Sequence, residues 1–134
     1  MKRPLGAGVR AGLFAAAVSG VPSTLHALAT GRDPFQATEA AGSLLLPGER
    51  RRARLLAAAV PVHLAISVSW AIVLAALLPR RHTVVAGAAA GLAIAAVDLG
   101  LIGRRYPRIR GLPLGPQLAD HVVFGAAVGA ALRE

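Results

Sequence analysis

The charged residues of this chain are gathered into clumps, and the gaps between the clumps are long. Residues 11–31, between Arg10 and Arg32, contain no Asp, Glu, Lys or Arg. Residues 55–79, between Arg54 and Arg80, contain none either. Residues 82–103 carry Asp98 alone, and residues 111–132 carry Asp120 alone. A helix rises about 1.5 Å per residue and needs about 20 residues to cross a hydrocarbon layer of about 30 Å. Stretches of 21, 25, 22 and 22 residues match that length. No two-residue alternation runs through them, which argues against a membrane barrel.

These stretches predict an all-α protein: a single transmembrane domain over residues 1–134, folded as an integral membrane four-helix bundle. Its helices fall near 10–30, 54–79, 83–104 and 115–133. Pro113 and Pro116 suit the first turn of the last helix but shorten it. Composition agrees, with 55 % hydrophobic and 16 % charged residues, the latter below the roughly 25 % of soluble domains. There is no cysteine, so no disulfide scaffold is available. A soluble, buried Ala-rich bundle is the competing reading. Lys2, Arg3, the apolar run 11–21 and Ala27-Leu28-Ala29 also match a signal peptide. The first helix is expected to be retained, because it has a counterpart later in the chain.

That counterpart is an internal similarity. Residues 11–19 and 90–98 match at six of nine positions, placing Ser19 opposite Asp98. Helices two and four align with His63 on His121 and Leu74 on Leu132. The pattern predicts two tandem helical hairpins related by an axis along the membrane normal, a parallel repeat. Between helices one and two, Asp33-Pro34-Phe35-Gln36 reads as a helix start, with Asp33 as N-cap and Gln36 at the capping-box position. A short interfacial helix running to Leu46 follows from it.

The net charge of +9 comes from fifteen Lys and Arg against six Asp and Glu. The basic residues cluster at helix ends, without a recognition helix or stacking platform, so nucleic acid is not an expected partner. The bilayer and its anionic headgroups are. Nine basic residues fall on the face holding the first and third connections and six on the other. The positive-inside rule therefore leans towards cytoplasmic connections. The composition resembles that of small Ala- and Arg-rich bacterial proteins of the cytoplasmic (inner) membrane, and a multi-pass protein there is the expectation.

Ionisable groups at membrane depth are costly and often functional. Five are candidates: His26, His63, Asp98, Asp120 and His121. Counted from the flanking arginines at about 1.5 Å per residue, all fall about 9–13 Å from one face. Ser19, Ser23 and His26 share a stripe of helix one, and His63, Ser67 and Trp70 one of helix two. Gly87, Gly91, Ala95 and Asp98 line a side of helix three, and Gln117, His121, Gly125 and Gly129 a side of helix four. Small residues at this spacing bring helices close, so these faces should point inward. Ser23, Ser67 and Gln117 are supporting members of the cluster. Pro22 should kink helix one. Trp70, at mid-span, reads as a packing residue.

The leading reading is a non-enzymatic accessory, scaffold or oligomeric membrane component, acting as a homo-oligomer or within a larger complex. Its His and Asp would pair across helices. The runner-up is a proton or ion pathway, or a metal or haem held by the same layer, with His63 and His121 as the haem pair. A cofactor is not favoured, because no His-x-x-Glu or His-Glu-x-x-His spacing is present. A membrane enzyme or lipid-head site ranks last, since no nucleophile motif is present. An alternative partner for Asp98 is Arg105.

Overall fold

The computed structural model describes residues 3–133, and every regular element among them is helical. The first helix begins at Leu5, ahead of Arg10, because Pro4 rather than the charge starts it. It comes in two pieces, α1 (Leu5–Val18) and α2 (Val21–Ala29). Pro22 supplies no N–H and so removes one bond of the ladder next to the Ser19-Gly20 junction, where the helix is interrupted. The kink expected at Pro22 is therefore a break. α2 stops where Gly31 adopts φ 68°. The N–H of Arg32 bonds the Ala27 carbonyl at 2.8 Å there, the glycine-terminated turn that ends many helices.

The connecting helix α3 (Gln36–Gly42) is shorter than the expected run from 33 to 46. Asp33 does not cap it as predicted; its carboxylate accepts the N–H of Phe35 at 2.9 Å, closing a turn ahead of the helix. α4 (Arg52–Leu77) runs unbroken past Pro61. α5 (Thr83–Ala95) continues through a π-helical segment (Ala96–Ile102) and a 3₁₀ turn (Gly103–Arg105). After the short α6 (Pro107–Arg110), α7 (Leu114–Ala131) completes the chain.

Three segments are long and apolar enough to cross a membrane: Leu5–Ala29, Arg52–Leu77 and Thr83–Arg105. α7 is not among them. It has 18 residues, and Gln117, Asp120 and His121 interrupt its apolar sequence.

Packing pairs α1 with α4 and α5 with α7, and α1 then packs on α7. Small residues make these contacts. Gly87 and Gly125 meet backbone to backbone, Gly91 lies on the His121 carbonyl, and Gly129 lies on that of Thr83. On the other pair, a Cβ at Gly12 would lie 2.7 Å from the Val68 Cα. The buried set is mostly alanine with Leu55, Leu74, Leu78, Ile94, Phe124, Val128 and Leu132, while Leu13, Phe14, Leu25, Val60, Leu77 and Val85 face outward. Large residues outside and small ones inside reverse the ordinary soluble pattern. At the end holding the N-terminus, the Arg3 guanidinium donates to the Leu78 carbonyl at 2.9 Å and covers the last turn of α4.

At the other end the connections are tied by ion pairs. Arg52 reaches Asp33 at 2.7 Å and Glu39 at 2.9 Å, and Arg108 reaches Glu39 at 3.3 Å. α3 is thereby fastened to both α4 and α6. The Gly42–Leu55 backbone contact adds a close approach. The Phe35 N–H, with Arg52 beside it, holds the Asp33 carboxyl below its ordinary value. The N–H groups of Arg51 and Arg50, with the Arg54 guanidinium, do the same for Glu49.

Candidate functional site

Above the ion-paired end the helices diverge. α2 turns onto α7 instead of continuing along α4. The space left is a cavity of about 640 Å³ bordered by α1, α2, α3, α4, the π segment and α7. That volume lies within the usual range for small-molecule sites, about 300–1,000 Å³. Its walls are largely apolar, among them Ile66, Ile94, Leu99, Leu112 and Phe124. α3 lies across its floor through Ala37, Ala40 and Ala41.

Polar groups reach the cavity from several helices. His63, Asp98, Asp120 and His121 all line the cavity, together with Ser23, Ser67 and Gln117. His26 does not. It borders a small neighbouring pocket with Arg32, Asp33 and Pro113, nearer the connections. The stripe Ser19, Ser23 and His26 assumed one continuous helix, and the break at Ser19-Gly20 interrupts it.

Asp98 lies in the first turn of the π segment. The indole N–H of Trp70 donates to its Oδ1 at 3.2 Å, and Nε2 of His121 lies 3.5 Å from its Oδ2. Arg105 is not its partner: the side chain reaches back into the bundle, away from the arginine end. Nδ1 of His121 lies 2.7 Å from the Gln117 carbonyl. A carbonyl only accepts, so Nδ1 carries a hydrogen. Nε2 then faces the Asp98 carboxyl, 3.5 Å from Oδ2. Trp70, Asp98, His121 and Gln117 form one chain from α4 through the π segment to α7.

Asp120 has a different role. Its Oδ1 accepts the backbone N–H of Ser23 at 2.8 Å. Ser23 is the third residue of α2, where N–H groups have no intrahelical acceptor. Asp120 therefore caps a neighbouring helix, and the positive end of that helix favours its negative charge. His63 donates Nε2–H to the Ala16 carbonyl at 2.8 Å. That carbonyl belongs to the last turn of α1, where the break leaves acceptors without partners. Each half of the broken helix thus has a side chain from another helix at its open end.

The sequence did not reveal the Trp70 hydrogen bond or the π segment. Trp70 stood in the same stripe as His63 and Ser67, and that spacing was the available signal. Among the described residues, no three His, Cys, Asp or Glu side chains are arranged to hold a metal ion. A bis-histidine group bound through both Nε2 atoms would require His63 to leave the Ala16 carbonyl and His121 to turn its Nε2 from Asp98.

Fold and site together define a small all-helical protein with membrane-length apolar helices and a partly polar cavity between them. No protein-family model, curated protein or solved structure matches the chain.

Proposed function

We propose that this is a multi-pass protein of the cytoplasmic membrane, built as a four-helix bundle of two tandem hairpins, that binds an amphiphilic small molecule within the bilayer and catalyses no reaction. Beneath this stands the reading as a non-enzymatic accessory membrane component. The observation that carries the ligand role is the cavity of about 640 Å³ lying where the His and Asp side chains converge. A cluster serving only to hold the helices in register needs no such space around it. In this reading α7 is the fourth span, with its polar half turned inward and covered by α2 and α5. The basic connections face the cytoplasm and the anionic headgroups there.

Trp70 is the only tryptophan and lines the cavity, so it reports on binding directly. The neutral dye N-phenyl-1-naphthylamine, titrated into protein in a non-ionic detergent, should show saturable energy transfer from Trp70. Ala37→Phe and Ala41→Phe, which enlarge the floor, should weaken it. Transfer that never saturates, or that both variants leave unchanged, would remove the ligand role.

The Asp98–His121 pair supports a second reading, a proton pathway, because a carboxyl and an imidazole lie 3.5 Å apart on the wall of a cavity that His63 also lines. Proton flux in liposomes, lost in Asp98→Asn, would favour it over simple binding.

A further inference from the structure

We infer that the cavity takes a lipophilic cation, its positive charge against Asp120 and its apolar body between α2, α4 and the π segment. This rests on the amphiphile-binding reading and adds the sign of the ligand's charge.

Three observations converge. The chain carries fifteen Lys and Arg against six Asp and Glu, yet no described Lys or Arg lines the cavity while Asp98 and Asp120 both do. An anionic headgroup would meet two carboxyls and no fixed cation there, in a medium where like charges repel strongly. The two carboxyls also differ in what they already hold. Asp98 has the Trp70 indole and the His121 ring. Asp120 is held by Ser23, whose backbone N–H meets Oδ1, and has no cationic side chain at ion-pair distance among the described residues. The groups facing it are committed elsewhere: His121 to Asp98 and Gln117, His63 to Ala16.

The third observation concerns two buried hydroxyls. Ser19 and Ser67 are 6 % and 4 % exposed and border the cavity. Both belong to the wall that also holds Asp98 and Asp120. Serine hydroxyls at a cavity wall offer acceptor oxygens to a cation's substituents. The face of Trp70 can do so through its ring.

The test uses wild-type protein in dodecyl maltoside with the neutral dye bound and followed by Trp70 energy transfer. Tetraphenylphosphonium and tetraphenylborate match in size and shape and differ in sign. The cation should displace the dye at a concentration about tenfold or more below that of the anion, in line with loss of one buried charge partner. Asp120→Asn keeps an acceptor oxygen for Ser23 and should abolish that preference, whereas Asp120→Glu should retain it. Equal displacement by both ions, or a preference that survives Asp120→Asn, overturns the inference while the dye's own binding still upholds the cavity. Failure of the dye itself to bind removes the cavity reading and the cation with it. Should Asp120→Asn fail to fold, the comparison of the two ions on the wild-type protein decides alone.

Discussion

Gly125→Ala adds one methyl group where α7 touches α5. A Cβ there would fall on the Gly87 carbonyl, far inside van der Waals contact, and the Gly91 N lies 3.0 Å away. Both neighbours are backbone, so neither can swing aside. Restoring a normal separation of about 3.5–4.0 Å requires the helices to part by about an ångström or more. The separation would also loosen the Gly91–His121 and Gly129–Thr83 contacts of the same seam. Overpacking of this kind costs about 1–3 kcal/mol, and the upper end is expected here. Gly115→Ala is the control on the same helix, since nothing lies within 4 Å of its added Cβ. It should be neutral or stabilise by up to about 1 kcal/mol through helix propensity. Gly87→Ala with Gly125→Ala should cost less than the sum of the two, because one separation of the helices relieves both clashes. Unfolding by dodecyl sulfate titration in mixed micelles, followed by circular dichroism, measures all four. The reasoning is refuted if Gly125→Ala unfolds together with Gly115→Ala.

Other perturbations follow from the same contacts. Trp70→Phe keeps the ring but removes the donor to Asp98, and should cost about 0.6–1.5 kcal/mol in the same titration; no loss would mean the bond carries no stability. Glu39→Gln weakens the grip of Arg52 and Arg108 on α3 together and should cost about 1 kcal/mol, with faster proteolysis between residues 31 and 51 as its signature. Asp33 and Glu49 have folded-state values below their unfolded ones, so their contribution is full above about pH 4 and is lost as pH falls through the lowered values. Thermal unfolding at pH 7 and pH 3 should show a drop that Asp33→Asn with Glu49→Gln reduces. The chain has no cysteine, so single-cysteine variants test topology directly. Arg110→Cys and Arg133→Cys should react with an impermeant maleimide from opposite sides of the membrane, and labelling from one side would remove α7 as a span.

Much of the candidate site was legible because helical spacing carries real geometry. The stripe His63, Ser67, Trp70 and the stripe Gln117, His121 do turn towards one cavity. The small-residue spacing at Gly87, Gly91, Gly125 and Gly129 does become a close seam. The grouping of His26 with Ser19 and Ser23, and the alternative pairing of Asp98 with Arg105, rest on one assumption. Both extend a regular helix through a segment that is not regular, the stripe across the Ser19-Gly20 break and the pairing across the π segment. A broken ladder changes both rise and azimuth, and residue counting assumes both are constant.

The sequence by itself determined the helical class and the presence of membrane-length apolar segments, because both depend on local composition and on the length of a helix per residue. It also determined which helix faces could approach, since a missing side chain is a property of the residue alone. Only the tertiary structure decided that α2 leaves α4 for α7, that Asp120 caps a helix other than its own, and that a cavity opens between the divergent halves. Those outcomes arise from backbone groups left without partners at Pro22, whose acceptors and donors are found on helices distant in sequence.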